Sequence, residues 1–232
     1  VGTLGIITGM VFEADILRAA MRNRAAQNVR VTCSGLGREA ARNAAAASVA
    51  QGATALLSFG IAAGLDEKLV AGSIIIASYV HDGAKALFSD EAWTARLSAE
   101  CGNVSAAAPQ PIAHANDVLV TPEEKAALRT ATGAAAADME SYGIAETALA
   151  HGLPFATVRV VADTATDVLP SVAARATTPD GRIKVTTSVF GALTHPSQIP
   201  ELLRLGRRTQ TAKQTLRRLA DLGLERRFFF PV

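Results

Sequence analysis

The chain has 232 residues, 49% of them hydrophobic, and a formal net charge of +2. That length and composition suffice for one well-cored domain, and the near-neutral total argues against nucleic acid or another strong polyanion as partner. The charge is uneven, since residues from Pro200 onward hold eight Lys/Arg against three Asp/Glu. In chain order, Gly5-Ile6-Ile7-Thr8 closes a first strand, and a helix follows from Phe12 to Arg24. Asn28 to Ser34 alternates as a strand, Gly35-Leu36-Gly37 makes a tight turn, and Arg38 to Ala50 is an Ala-rich helix. Ala53 to Phe59 reads as a third strand that runs into a glycine-bearing loop, Gly60-Ile61-Ala62-Ala63-Gly64. Ser73 to Val80 is an Ile/Val run typical of a buried strand. Ser89 to Cys101 looks helical, with Trp93 and Leu97 four residues apart. Thr121-Pro122-Glu123-Glu124 combines an N-cap, a proline at the first helical position and first-turn acids, and so starts a helix.

The most informative stretch comes next. Asp138-Met139-Glu140-Ser141 opens a helix expected from Glu140 to His151, which Gly152-Leu153-Pro154 stops. Phe155 to Val161 reads as a buried strand, with Asp163 just past its end. In an open α/β sheet, ligands bind at the carboxyl ends of the strands, so one helix-turn-strand unit brings two carboxylates to one crevice. A loop around Asp167 to Pro170 and a polar segment near Thr178-Pro179-Asp180-Gly181 lead to a last helix over 197–222. Strands alternating with helices predict an α/β fold, three αβα layers around a mixed central sheet, in a single domain over 1–232.

Other classes find little support. Cys33 and Cys101 are far apart and form no CxxC, which fits a reducing compartment. Glu13 and Asp15 interrupt the apolar N-terminal run, no basic segment precedes it, and no apolar run approaches the roughly 20 residues that span a bilayer. The expectation is a cytoplasmic protein. His81, His114, His151 and His195 show no metal-ligand spacing, so no metal and no resident cofactor are expected. Gly35 and Gly37 lack the third glycine of a dinucleotide fingerprint, and neither a P-loop nor a GxSxG elbow occurs.

The segments Met139-Glu140 and Val158-Arg159-Val160-Val161-Ala162-Asp163 resemble the nucleoside phosphorylase and methylthioadenosine/S-adenosylhomocysteine nucleosidase superfamily. The resemblance implies cleavage of a purine N-glycosidic bond. Asp163 would be the general acid for the departing base, Glu140 the ligand of the ribose hydroxyls, and Met139 a packing surface for the ribose. Gly9-Met10-Val11-Phe12-Glu13 resembles the nucleosidases' Gly-Ala-Met-Glu-Glu-Glu start, which makes Glu13 the candidate activator of the nucleophile. Gly60-Ile61-Ala62-Ala63-Gly64-Leu65 resembles the family's Gly-Ser-Ala-Gly-Gly-Leu loop, so Gly9, Gly60, Ile61 and Ala62 are the candidate nucleophile or phosphate loop. Asn116-Asp117-Val118-Leu119-Val120 resembles the segment that lines the base, with Leu119 in place of a stacking Phe and the Val120 backbone at the purine edge. Each residue also has an ordinary structural reading: Asp163 as an N-cap, Glu140 as a first-turn acid, Met139 as core, Glu13 as a solvated acid.

Two departures bear on the nucleophile. Ile61 replaces a hydroxyl-bearing Ser, and Ala162 stands where many relatives have Ser beside the catalytic Asp. Inorganic phosphate remains a candidate co-substrate, with Arg38 as a candidate anion site, and water remains the alternative. The segments Pro179-Asp180-Gly181-Arg182 and His195-Pro196-Ser197-Gln198-Ile199-Pro200-Glu201-Leu202-Leu203 look like the hopanoid-associated members, which implies adenosylhopane as substrate. The rivals are a methylthioadenosine/S-adenosylhomocysteine nucleosidase and a non-catalytic nucleoside-binding or membrane-docking module. In the last helix Ile199, Leu202, Leu203, Leu205, Ala212, Leu216 and Leu219 form an apolar stripe among basic residues, with Phe228-Phe229-Phe230 beyond. Such a helix suits either the sheet or peripheral contact with an anionic membrane. The fold's relatives also imply a homo-oligomer.

Overall fold

The computed structural model describes residues 2–22, 28–101, 109–170, 178, 180–182, 199–225 and 229–231. Its first half alternates strand and helix: β1 (Thr3–Thr8), α1 (Val11–Arg22), β2 (Val29–Cys33), α2 (Arg38–Ala50) and β3 (Ala53–Gly64). Then come β4 (Ile74–His81), β5 (Ala86–Phe88), α3 (Glu91–Cys101), β6 (Gln110–His114) and α4 (Pro122–Thr132). The chain continues through β7 (Ala136–Asp138), α5 (Ser141–Ala150), β8 (Phe155–Asp163) and α6 (Ile199–Glu225). The eight strands form one mixed sheet. β3 runs parallel to β1 and β8, and antiparallel to β7. β4 is antiparallel to β8 and parallel to β6, and β6 is parallel to β7, so β3, β8, β4, β6 and β7 close on themselves as a ring.

Strand alternation divides the core between the two faces of the sheet. Leu57, Phe59, Ile74, Ile76, Val158 and Val160 point one way, into a cluster shared with α1, α3 and α6. Leu56, Ile75 and Val161 point the other way and pack with Ala41 and Ala45 of α2 and Tyr142 and Ile144 of α5. Trp93 and Leu97 are both wholly buried, as their four-residue spacing on α3 requires. The Ala-rich α2 comes close to α5: a Cβ on Gly143 would collide with the Arg38 carbonyl.

The structure corrects several sequence-based expectations. Gly60–Gly64 is strand rather than loop, because the far end of β3 finds partners on both sides, Asp163 of β8 against Ala63 and Ala136 of β7 against Gly64. The short strands β5, β6 and β7 carry too few residues to show a period. The last helix begins at Ile199 and runs to Glu225; positions 197 and 198 of the expected start lie outside the described residues. Its apolar stripe faces the sheet only in its second half, where Ala212, Leu216, Leu219, Ala220 and Leu224 are buried, while Leu203 is 60% exposed.

Phe229 belongs to the core and not to a surface aromatic cluster. Its ring is wholly buried and meets Phe59 edge-on at 5.6 Å. Gly223 makes the room, since a Cβ there would come within 2.6 Å of the Phe229 ring. Phe228 lies outside the described residues. Phe229→Ala is therefore expected to cost about 3–5 kcal/mol of stability in denaturant unfolding, and an unchanged midpoint would place the ring outside the core.

Candidate active site

The first part of the site gathers around Arg159 in the middle of β8. An arginine in an otherwise apolar strand must find its charge partners inside the protein. Its Nε lies 2.7 Å from Asp138 Oδ2 and its Nη2 lies 3.6 Å from Glu140 Oε2. Nη2 also donates to Ser58 Oγ at 2.8 Å and Ser141 Oγ at 3.0 Å, and the two hydroxyls sit 2.9 Å apart. Asp138 ends β7 and holds the start of α5, accepting from the Glu140 and Ser141 amides with Oδ1 and from the Ser141 hydroxyl with Oδ2. The role of helix cap thus falls to Asp138. Glu140, the residue just ahead of α5, makes no side-chain cap of its own, and its carboxylate accepts instead from the Gly37 amide at 3.1 Å.

Glu13, from the first turn of α1, completes this cluster. It is only 1% exposed, and its carboxylate accepts from the Met10 amide at 2.9 Å and the Ile61 amide at 2.8 Å. Two glycines admit the carboxylates. A Cβ on Gly9 would lie 2.7 Å from the Glu140 carboxyl carbon, and one on Gly60 would lie 2.7 Å from that of Glu13. Burial pushes the Glu140 carboxyl up to about 7; Arg159 opposes the shift, and Asp138 and Glu13 add to it. Burial likewise raises Glu13, against Arg159 and the backbone donors. Burial works against the charge on Arg159, but Asp138, Glu140 and Glu13 outweigh it and hold the guanidinium protonated.

The second part lies at the end of the same strand. Asp163 is the last residue of β8, four positions beyond Arg159 and about 13 Å along the strand, just past a shift of register against β3. The ammonium of Lys125, wholly buried on α4, sits 2.5 Å from Asp163 Oδ2 and donates to the carbonyls of Thr164 (2.8 Å) and Asp167 (3.0 Å). Burial raises the Asp163 carboxyl; Lys125 first, then Arg208, oppose it. A cavity of about 730 Å³ opens at the turn after β8, lined by Val120, Asp167, Leu169, Glu201, Arg204 and Arg208; Asp163, Glu13 and Glu140 are not among its lining residues.

The structure brings Glu13, Glu140, Gly9, Gly60 and Ile61 together, with Asp163 farther along β8. Met139 is half-buried and outside the three apolar clusters. Two expectations change. Gly60, Ile61 and Ala62 are not a phosphate-cradling loop: they lie within β3, and the Ile61 amide is already given to Glu13. The Val120 amide is engaged, donating to Glu124 Oε2 at 2.6 Å, and its carbonyl accepts from the Leu169 amide at 2.8 Å. Leu119 is half-buried and packs against the cluster around Leu65 and Ala115. Arg38 is not an open anion site either, being held by Glu146 at 2.6 and 2.8 Å and by Asp82 at 3.1 Å.

Sequence reasoning missed Arg159, Asp138 as a structural carboxylate, and Lys125. Two of these carry a signal. Arg159 interrupts an apolar strand, and Lys125 follows two first-turn acids at the end of a helix where the macrodipole disfavours a cation. Among the described residues no group of His, Cys, Asp and Glu forms a metal site, and no helix is long and apolar enough to cross a membrane.

The family match over residues 15–180, together with the shared fold, shows an enzyme of the nucleoside phosphorylase/nucleosidase class. The chain belongs to the phosphorylase superfamily, whose family model matches residues 15–180. It is similar in fold to the 5′-methylthioadenosine/S-adenosylhomocysteine nucleosidase of Neisseria meningitidis in complex with methylthio-immucillin-A, at 18% identity and a TM-score of 0.72, with 97% of this chain and 100% of that chain covered. The corresponding nucleosidase from Colwellia psychrerythraea 34H, in complex with adenine, matches at 20% identity and a TM-score of 0.70, over 96% of this chain and 95% of that one. The native futalosine hydrolase of Helicobacter pylori strain 26695 matches at 17% identity and a TM-score of 0.64, over 70% and 88% of the two chains. A search of curated proteins gave no match.

Proposed function

We propose that this protein hydrolyses the N-glycosidic bond of an adenine nucleoside. The observation that carries the reading is the joining of Glu13 and Glu140 to Arg159 of β8, with Asp163 at the end of that strand. In this reading Asp163 protonates the leaving base, a role its raised pKa suits. Glu140 accepts from the vicinal ribose hydroxyls, Met139 packs on the ribose, and Glu13 takes a proton from the attacking water.

The electrostatics favour water over phosphate. A phosphate site needs spare cations and free amides. Here Arg159 faces three carboxylates, the Ile61 amide is engaged by Glu13, and Arg38 is engaged by Glu146 and Asp82. For the substrate, the reading is adenosylhopane, giving adenine and a ribosyl-hopane. Of the residues that carry the hopanoid-like resemblance, Asp180 to Arg182 and Ile199 to Leu203 are described, and Gly181 lies directly on the nucleophile turn. Its carbonyl accepts from the Val11 amide at 3.0 Å, and a Cβ there would collide with the Gly9 carbonyl. Pro179 and positions 183–198 lie outside the described residues. A second reading, methylthioadenosine/S-adenosylhomocysteine hydrolysis, draws on the near-complete match to such enzymes.

The test is free adenine released from adenosylhopane and from methylthioadenosine, with and without phosphate. Release from adenosylhopane at a rate indifferent to phosphate is expected. Release only with phosphate overturns the hydrolytic reading, and turnover of methylthioadenosine alone moves the assignment to the second. Asp163→Asn is expected to slow release by about 10²–10⁴-fold, and a variant as fast as the wild type would remove Asp163 from the acid role.

A further inference from the structure

We propose that Lys125 is a positioning residue for Asp163: its buried ammonium fixes one carboxylate oxygen and the loop behind it, and so sets the pH range in which Asp163 carries a proton. The inference rests on the functional reading only for the consequence in catalysis; the ion pair stands on geometry alone. A lysine ammonium with no exposed surface needs partners inside the protein: it donates to Thr164 O and Asp167 O and forms an ion pair with Asp163 Oδ2. Each belongs to the end of β8 or to the turn that follows it, so one side chain ties α4 to the last strand residue and to that turn. With Oδ2 held by Lys125, Oδ1 is the oxygen left to a ligand.

The position of Lys125 on its helix points to this task. Thr121 and Glu124 form a complete capping box around Pro122, which places Lys125 in the first turns, where the macrodipole opposes a positive charge. A cation is retained there because a carboxylate and two carbonyls face it. The charged groups that bear on Asp163 are Lys125 from α4 and Arg208 from α6; Arg208 itself is paired with Asp167, whose Oδ2 accepts from the Thr164 amide at 2.8 Å. Lys125 is wholly buried and Arg208 is not, so Lys125 dominates.

A cation beside a buried carboxyl favours its ionised form, and burial favours the neutral one. Removing the Lys125 cation takes away the largest effect that opposes burial and leaves the half-exposed Arg208 as the remaining cation. Asp163 then keeps its proton to higher pH, and the alkaline limb of kcat/KM moves up by about one pH unit or more in Lys125→Met. Lys125→Arg, which keeps the charge, moves the limb less. The Asp163 carboxyl is also followed directly, by carbon-13 NMR titration of the wild type and both variants, without substrate. An Asp163 titration that rises in Lys125→Met and returns toward the wild type in Lys125→Arg is the expected result. An Asp163 that titrates at the wild-type pH in Lys125→Met, or that moves equally in both variants, overturns the proposal. If the wild type releases no base from any adenine nucleoside, the functional reading falls, while the NMR titration still decides the role of Lys125. Should Lys125→Met fail to fold, Lys125→Gln takes its place, since it keeps a donor for the turn carbonyls and loses the charge: an Asp163 titration raised above the wild type is expected, and one at the wild-type pH overturns the proposal.

Discussion

Arg159→Met is expected to destabilise the fold by about 3–5 kcal/mol and to abolish base release. The guanidinium is the only buried cation facing Asp138, Glu140 and Glu13 among the described residues. Without it three carboxylates share a water-poor space, and those that stay ionised repel one another. Some of the cost is relieved by proton uptake, so the loss should be smaller at low pH and larger near neutrality. Arg159→Lys should not restore the site. A point charge on a flexible stem cannot hold Asp138 while also donating to Ser58, Ser141 and the Ile61 carbonyl, as the planar fork does. Denaturant unfolding at two pH values, read beside adenine release, checks both halves. A variant that unfolds at the wild-type midpoint would show that the carboxylates do not need the arginine.

Much of this arrangement was legible in the sequence because its determinants are local. α2 occupies the expected Arg38 to Ala50, between a Gly-rich turn and a strand. The helix start at Thr121 is fixed by its own capping box, and the pairing of Met139-Glu140 with a strand ending in Asp163 places two acids on one sheet edge. What was not legible depends on contacts far apart in sequence. Arg159 reads as one odd residue in a buried strand until Asp138 and Ser58 are brought beside it. The Lys125 to Asp163 pair joins residues with a strand, a helix and two turns between them. β3 continues through Gly60 to Gly64 because β7 and β8 come to pair with it, and small residues there look like loop until those partners are present. The basic last helix shows the same limit: periodicity gave its apolar stripe, and the sheet decided which half of the stripe is buried.

The same crowding that suits the site to catalysis weakens the fold at alkaline pH, and Glu140→Gln separates the two effects. The Glu140 carboxyl titrates at about 7 in the folded chain, against 4.5 when unperturbed, chiefly because it is buried. The folded state therefore holds this proton more tightly than the unfolded state. Its contribution to stability is fully present below pH 4.5 and is lost as pH rises through about 7. Glutamine keeps the shape and an acceptor for the Gly37 amide but has no charge to bury, and Asp138 still holds Arg159. The variant should thus be more stable than the wild type at pH 8, and its stability should change less between pH 4.5 and 7. Base release should fall by about 10²–10³-fold, because the carboxylate that grips the ribose also faces the positive charge growing on it in the transition state. Unfolding midpoints across that pH range, measured with release rates, decide the matter. If Glu140→Gln loses stability with rising pH as steeply as the wild type, Glu140 is not the residue that strains this site.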